Sequence, residues 1–281
     1  MRIARLGQPG QEIPVVIDGD RVLDLRGVTT DVTPEFLEHH LPAIDPSTLP
    51  QLRDTAGLRH GAPITRPTAV VCIGMNYARH AAESGAEPPT EPVVFFKHPN
   101  TVVGPNDPVT IPRGSTMTDW EVELGVVIGR QTSYLDTPAD AAAHIAGYVL
   151  VNDVSERELQ LHRSGGQWSK GKSAPTFTPV GPWLVTADVL DPAAVRLRSR
   201  VNGEPRQDSS TADLIFSVPD IVHRLSQFMT LEPGDLILTG TPEGVALSGR
   251  FPYLRAGDVV ELDGDGLGQQ RQTMVAAKDG R

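Results

Sequence analysis

The chain has 281 residues, of which 39% are hydrophobic and 21% charged, as in an ordinary globular protein and unlike a disordered chain. Its formal net charge of −10 argues against nucleic acids and anionic membrane surfaces as partners, and no apolar run approaches the ~20 residues needed to cross a bilayer. Residues 1–5 lack the apolar core of a signal peptide and the single cysteine, Cys72, excludes an internal disulfide or a cysteine-rich zinc site, so we expect a cytoplasmic protein.

Residues 1–66 are predicted to form a small N-terminal α/β module. Two short strands are expected within residues 14–25, around a turn at Asp18 and Gly19. Thr33 is the predicted cap of a helix that runs to about His40. The residues that follow are rich in proline and glycine, which indicates a surface connector. We therefore place a second, larger domain at residues 67–281.

A buried strand over residues 69–73 opens this larger domain, and a helix of about two turns is predicted at residues 77–83. His80 and Glu83 are spaced i, i+3 and share one face of that helix. A carboxylate beside an imidazole raises its basicity and orients it, as a general base requires. The alternative is an ordinary pair of side chains on a helix surface.

The most informative stretch is the strand predicted at residues 119–129, which carries Glu121 and Glu123. Alternate residues of a strand point to the same face, and two residues rise by roughly 6.6 Å, so the two carboxylates would lie at one place and repel each other unless a cation lies between them. A third carboxylate, Asp153, follows the apolar strand predicted at residues 147–151. Three oxygen ligands favour Mg²⁺, Mn²⁺ or Ca²⁺ over zinc. The alternative is an exposed strand face with solvated glutamates.

After Asp153 the sequence predicts a helix in which Arg157 and Gln160 share a face, and then a loop rich in glycine and lysine that contains Lys172. The spacing of residues 166–173 matches a phosphate-binding loop, but three prolines between residues 175 and 182 forbid the long helix that such a loop requires. We therefore do not expect nucleotide binding.

The remaining residues are predicted to be mostly β. Ser217 should cap a helix that runs to about Met229 and turns Phe228 to the core. A strand at residues 234–239 ends in the turn 240–244, where backbone N–H groups beside the hydroxyl of Thr241 could hold a substrate carboxylate. Residues 263–266 resemble a calcium loop at first, but position twelve holds Met274 in place of glutamate, so a hairpin turn is predicted.

Together these stretches resemble the fumarylacetoacetate hydrolase family, from about residue 69 to about residue 273. Residues 164–168 and the N-terminal module further resemble its branch of 2,4-diketo sugar-acid hydrolases and proteins labelled ureidoglycolate lyase. The motifs that carry the family resemblance are Asn76-Tyr77-Ala78-Arg79-His80 with Glu83, Asp119 to Leu124, Asn152 to Arg157, Gly171-Lys172-Ser173, Asn202-Gly203 with Gln207, and Leu238 to Pro242.

The resemblance implies an α+β, β-rich fold, a mixed β-roll with peripheral helices, in a homodimer. It implies one Mg²⁺ ion, or Mn²⁺ with Ca²⁺ as a further option, held by Glu121, Glu123 and Asp153. A small anionic 2-oxo acid or its enolate would chelate this ion beside Lys172.

In the family pattern His80, supported by Glu83, activates water. The residues that match substrate contacts are Arg157, Gln160, Lys172, Gly240 and Thr241. Two departures lie beside Lys172, namely Ala174-Pro175 in place of a residue followed by Asp, and one extra glycine in the preceding loop.

The function implied is hydrolysis of a C–C bond in an acylpyruvate or other 2,4-diketo acid, giving pyruvate and a carboxylic acid. Three alternatives would use the same metal site: decarboxylation of oxaloacetate, isomerisation of the 2-hydroxyhepta-2,4-diene-1,7-dioate type, and ureidoglycolate cleavage. A non-catalytic protein that binds a metabolite belongs to a different class, and the presence of all the acidic residues and His80 argues against it.

Overall fold

The structure is a computed structural model that describes residues 1–83 and 87–278, with only the backbone of Glu83. The strands of the described residues are β1 Arg2–Leu6, β2 Ile13–Asp18, β3 Arg21–Asp24, β4 Val70–Gly74, β5 Val93–Lys97, β6 Val102–Val103, β7 Val109–Ile111, β8 Thr118–Asp119, β9 Val122–Ile128, β10 Ile145–Asn152, β11 Ser155–Glu156, β12 Thr178–Pro179, β13 Leu184–Thr186, β14 Arg196–Val201, β15 Glu204–Ser210, β16 Leu236–Leu238, β17 Val259–Gly264 and β18 Gly268–Ala276.

Two large sheets organise these strands. A nine-stranded sheet has the order β3-β2-β1-β13-β10-β9-β16-β4-β5, and all its neighbours are antiparallel except the parallel pair β16 and β4. A five-stranded sheet has the order β15-β14-β17-β18-β7, with β18 and β7 parallel. Two further pairs are β11 with β8 and β12 with β6. The prediction of a β-rich, mixed α+β fold is confirmed.

Both faces of the nine-stranded sheet are covered by other parts of the chain. Neighbouring residues along a strand point to opposite faces, so each strand contributes side chains to two buried clusters. On one face Val71, Leu124 and Leu150 join Leu197 and Leu262 of the five-stranded sheet in one buried cluster. The other face is covered in part by the N-terminal residues, as described below. A strand buried on both sides reads as a continuous apolar run, which explains the composition of β4, β9 and β10.

Helices are short and lie around the sheets. The α-helices are α1 Ala78–Glu83, α2 Ser169–Lys172 and α3 Val218–Ser226; π-helical turns occupy Phe36–His40 and Glu158–His162; and 3₁₀ turns occupy Leu41–Ala43, Pro46–Thr48, Pro99–Thr101, Pro138–His144, Pro192–Ala194, Thr211–Asp213 and Ala246–Ser248. Among the described residues, none of the helices has the length and apolar character that a membrane span requires.

The N-terminal residues fold as predicted at the level of elements. β2 and β3 pair around the turn at Asp18, and the Oγ1 atom of Thr33 accepts a hydrogen bond from the N–H of Phe36 at 3.2 Å. β1 also pairs with β13, so these strands continue the nine-stranded sheet. Phe36 and Leu37 pack on the second face of that sheet. The division into domains at residues 66 and 67 stays a prediction.

Other predictions differ from the structure in detail. The hairpin at residues 263–266 is confirmed, because Gly264 of β17 pairs with Gly268 of β18. Lys172 lies on the short helix α2 and not in a loop. Phe228, predicted to face the core, is 62% exposed because α3 already ends at Ser226 and the chain turns away.

Replacing Phe36 by alanine should test how strongly the N-terminal residues are packed. The side chain is fully buried, so Phe36→Ala should lower the free energy of unfolding by about 3–5 kcal/mol. Phe228→Ala is the matched control and should change it by no more than about 0.5 kcal/mol. Urea unfolding followed by circular dichroism measures both, and an equal effect of the two substitutions would contradict this packing.

Candidate active site

Three carboxylates meet where β9 begins and β10 ends. Glu123 pairs with Val151 across the two antiparallel strands, and the N–H of Asp153 donates to the carbonyl of Glu121 at 2.9 Å. This register brings one carboxylate oxygen from each of Glu121, Glu123 and Asp153 within 4.8 Å of one another. All three residues are buried, with no more than 5% exposed, so the alternative of a solvated strand face is wrong.

Lys172 and Arg157 neutralise two of these carboxylates. The Nζ atom of Lys172 donates to Glu121 Oε2 at 2.7 Å and to Asp153 Oδ2 at 2.8 Å. The Nη2 atom of Arg157 lies 2.7 Å from Glu121 Oε1 and 2.8 Å from an oxygen of Asp119. The two cations therefore hold the Glu121 carboxylate from both sides.

Lys97 and Asp119 complete this group, although the sequence analysis did not select either as a site residue. Lys97 is fully buried at the end of β5, where its Nζ donates to Asp153 Oδ1 and, at 3.0 Å, to the carbonyl of Val154. A signal was present, because Lys97 has the same phase along β5 as the inward-facing Phe95. Asp119 gave no comparable local signal, since its partner Arg157 lies 38 residues away.

The charges explain why this site fits a divalent cation. Burial alone would raise the pKa of Glu121, but the positive charges of Lys172 and Arg157 outweigh burial and lower that pKa to about 2. Glu123 has no cationic partner among the described residues; burial, Asp153 and Glu121 raise its pKa well above the usual value. A buried carboxylate beside two others is stabilised by a metal ion, and an all-oxygen donor set suits Mg²⁺ or Mn²⁺. Glu121, Glu123 and Asp153 are therefore suited to hold a divalent cation.

A cavity of about 100 Å³ opens beside these carboxylates. Its wall contains predicted site residues from five separate stretches of the chain, namely His80, Glu121, Glu123, Arg157, Gln160, Lys172 and Thr241. Asp153 accepts a hydrogen bond from Lys172 but is not among the residues that line the cavity. The tertiary structure therefore brings these seven predicted residues to one wall.

His80 reaches the cavity because the start of α1 is anchored. The side chain of Asn76 donates to the carbonyls of Phe216 at 3.1 Å and Thr239 at 2.8 Å, and it accepts from the N–H of Phe216 at 2.7 Å. α1 begins two residues later, and His80 is half-buried in the same cavity as Glu121. The side chain of Glu83 lies outside the described residues, so the pairing of His80 with Glu83 stays a prediction.

The turn after β16 is used differently from the predicted carboxylate cradle. The N–H of Gly240 donates to Glu123 Oε2 at 2.8 Å, so it positions a carboxylate of the protein itself. The hydroxyl of Thr241 donates to the carbonyl of Val122 at 2.9 Å and accepts from Gln207 at 2.8 Å. The N–H of Gly240 and the hydroxyl of Thr241 thus already donate to the protein. Among the described residues, the backbone N–H of Thr241 has no such acceptor, so it can donate to a ligand.

The short helix α2 is positioned by Gly171. A Cβ atom at this residue would lie 2.4 Å from the carbonyl oxygen of Glu156 and 2.5 Å from Cβ of Gln160. α2 therefore rests directly on the segment that carries Arg157, and Lys172 follows at the point where it can reach Glu121. Glycine is needed at residue 171 for steric reasons, whereas Lys172 is placed to contact the carboxylates.

Comparison with known proteins gives consistent results. A family model described as fumarylacetoacetate (FAA) hydrolase C-terminal matches residues 69–275. The chain is 47% identical to 2,4-didehydro-3-deoxy-L-rhamnonate hydrolase of Sphingomonas sp. (strain SKA58) over 277 residues, which cover 97% of this chain and 95% of the relative.

Solved structures agree over nearly the full length. The crystal structure of 2-hydroxyhepta-2,4-diene-1,7-dioate isomerase from Mycobacterium marinum is 34% identical, with a TM-score of 0.77. That of maleylpyruvate hydrolase from Sphingobium sp. SYK-6, in complex with manganese (II) ion and pyruvate, is 27% identical, with a TM-score of 0.79. Each comparison covers 99% of this chain and 100% of the other.

Substitution of Glu121 should weaken metal binding. Glu121→Gln removes one of three charged ligands, and we expect the affinity for Mn²⁺ to fall by at least about 100-fold. Isothermal titration calorimetry of the protein with Mn²⁺ measures this change. The control is Glu158→Gln, a partly exposed carboxylate on the neighbouring π-helical turn, which should leave the affinity unchanged. Equal affinities of the two variants would contradict the assignment of Glu121.

Gly171→Ala should disturb the contact between α2 and the segment below it. The added Cβ must displace backbone, so we expect a loss of roughly 1–3 kcal/mol in the free energy of unfolding. At Gly27, which is exposed, a Cβ would meet nothing within 4 Å, and Gly27→Ala should change stability by no more than about 0.5 kcal/mol. Urea unfolding of both variants is the measurement; a neutral Gly171→Ala would show that α2 can shift freely.

Proposed function

The chain belongs to the fumarylacetoacetate hydrolase family and is an enzyme of that type, and we propose that it hydrolyses a 2,4-dioxo acid at the bond between C3 and C4. The observation that supports this most directly is the group of three buried carboxylates beside Lys172, in a cavity that His80 also lines. This arrangement offers a cation site, a fixed positive charge and a proton acceptor at one place.

The proposed reaction is balanced as R–CO–CH₂–CO–COO⁻ + H₂O → R–COO⁻ + CH₃–CO–COO⁻ + H⁺. Water adds to the C4 carbonyl, the C3–C4 bond breaks, and the electron pair of that bond leaves on the enolate of pyruvate. A proton then reaches C3. A covalent enzyme intermediate is not required.

The acidic residues and Lys172 act on the pyruvate half of the substrate. A divalent cation held by Glu121, Glu123 and Asp153 would polarise the 2-oxo group and the carboxylate. Burial alone would lower the pKa of Lys172, but the charges of Asp153 and Glu121 outweigh it and raise that pKa, so the ammonium persists at neutral pH. Lys172 therefore supplies a fixed positive charge for the oxygen that becomes negative as the enolate forms.

His80 and Gln160 complete the proposed site. His80 accepts a proton from the attacking water. The Oε1 atom of Gln160 already accepts a hydrogen bond from Arg157 at 2.8 Å, which leaves the amide NH₂ group to contact the substrate. The N–H of Thr241 is a second donor for a substrate oxygen. We propose Mg²⁺ or Mn²⁺ as the metal and a cytoplasmic homodimer as the assembly.

Two relatives favour this choice of reaction. The maleylpyruvate hydrolase structure holds manganese and pyruvate, which are the kind of metal and the product proposed here. The rhamnonate hydrolase acts on a 2,4-didehydro-3-deoxy acid, which makes diketo sugar acids reasonable first substrates. Isomerisation is the second candidate because of the similarity to the M. marinum isomerase. Isomerisation needs no water, so formation of pyruvate with a second acid separates the two.

Substitution of His80 tests the proposed reaction. His80→Ala should lower pyruvate release from an acylpyruvate by at least about 100-fold, because the proton acceptor is lost, while Mn²⁺ binding persists. The assay couples pyruvate to lactate dehydrogenase, with and without EDTA, and EDTA should abolish the signal. His39→Ala, an exposed histidine, is the control. Full activity of His80→Ala would rule out this role, and pyruvate from oxaloacetate alone would indicate a decarboxylase.

A further inference from the structure

The cavity has an apolar mouth as well as an ionic base. Glu121, Glu123 and Lys172 at the base are buried, whereas Leu161 and Leu247 on the rim are 40% and 36% exposed. Large exposed apolar side chains beside a cavity are a feature of binding surfaces, since they gain free energy when a ligand covers them. The rim is the part of the cavity that the distal group of a substrate would reach.

The buried pair of Arg157 and Asp119 holds the backbone of Leu247 and contacts the residue before Leu161. The carboxylate of Asp119 accepts hydrogen bonds from the N–H groups of Ala246 at 2.8 Å and Leu247 at 3.0 Å. Arg157 donates to Gln160, the neighbour of Leu161, at 2.8 Å. The rim is therefore tied to the ionic group that also holds Glu121, and its apolar character is not a property of a loose loop.

Two aromatic side chains, Phe95 and Trp168, also line the cavity. Trp168 packs edge-to-face on Phe95, with ring centroids 5.6 Å apart, and its ring covers Gly74 at the end of β4. A Cβ at Gly74 would lie 2.4 Å from the indole, so glycine is required for the ring to lie there. Trp168, Leu161 and Leu247 thus contribute three uncharged side chains to the cavity lining.

The basic side chains of the cavity are already engaged. The described residues that line the cavity include one arginine, Arg157, and one lysine, Lys172. Both contact protein carboxylates at 2.7–2.8 Å. A second carboxylate at the distal end of a substrate would lose its hydration at the rim of the cavity. It would find no lysine or arginine among the described lining residues that is free to pair with it. Desolvation of an unpaired carboxylate is costly, and an alkyl group at the same place gains free energy by burial.

We propose that Leu161, Trp168 and Leu247 form a distal subsite that selects 2,4-dioxo acids whose acyl group ends in an uncharged alkyl group over those that end in a carboxylate. This inference rests on the proposed hydrolysis. It adds a specificity determinant, because the ionic base of the cavity recognises the pyruvate half that all such substrates share.

An isosteric pair of compounds tests the subsite. In 7-methyl-2,4-dioxooctanoate and 2,4-dioxoheptanedioate, a terminal isopropyl group and a carboxylate occupy the same place. With Mn²⁺ present, we expect kcat/KM of the wild-type enzyme to be at least about 100-fold higher for the alkyl compound. Equal or faster cleavage of the dicarboxylate would overturn the subsite inference and leave the proposed hydrolysis standing.

A charge added at the rim should shift this preference. Leu247→Arg provides the missing partner, so we expect the ratio of the two kcat/KM values to move toward the dicarboxylate by at least about 10-fold, mainly through KM. Val189→Arg adds the same charge at a residue that is 58% exposed and does not line the cavity, and the ratio should not change. An equal shift in both variants, or none in Leu247→Arg, would overturn the inference.

Binding separates the two hypotheses if neither compound is cleaved. Calorimetric titration of the Mn²⁺-loaded wild-type protein with each compound gives the same comparison without turnover. Tighter binding of the alkyl compound would then support the subsite while the hydrolysis fails. Equal binding, or tighter binding of the dicarboxylate, would overturn the subsite.

Discussion

The site depends on a buried set of charges that neutralise one another. Its members are the carboxylates of Asp119, Glu121, Glu123 and Asp153 and the cations of Lys97, Arg157 and Lys172. Desolvation of so many charges opposes folding, and a buried ion pair rarely repays that cost with stability. Four acids against three cations leave a negative excess, which is concentrated at Glu123. A divalent cation bound to Glu121, Glu123 and Asp153 would neutralise this excess.

The fold supplies this set through strand register and one close packing contact. Antiparallel pairing of β9 with β10 fixes the distance between Glu123 and Asp153. Lys97 lies at the end of β5, an edge strand of the same sheet. Gly171 lets α2 rest on the segment of Arg157, so that Lys172 reaches its partners. These elements are buried and held by strand pairing or close packing, which suits the precise placement of the side chains of a site.

Relatives with the same fold are a sugar-acid hydrolase, a maleylpyruvate hydrolase and a diene-dioate isomerase. A shared fold therefore does not select one reaction or one substrate. In this chain the ionic base of the cavity and the apolar rim have separate tasks in the functions proposed above. Arg157 and Asp119 connect the two, because they contact Glu121 on one side and the backbone of Leu247 on the other. On the inference proposed above, the rim sets the preference for the distal group, and the ionic base binds the part that the substrates share.

Local patterns in the sequence were sufficient to predict the strand of Glu123, the acid after the next strand, the helix of His80 and the hairpin at residues 263–266. The predicted strand over residues 119–129 is interrupted, because Glu121 lies between β8 and β9 and belongs to neither. Periodicity and turn chemistry act over a few residues, so a single sequence contains them. The tertiary structure alone decided which cation faces which acid, that Gly240 serves Glu123, and that Phe228 lies in solvent. Those outcomes depend on contacts between residues far apart in the chain, since burial and pairing follow from sheet register and packing and not from spacing.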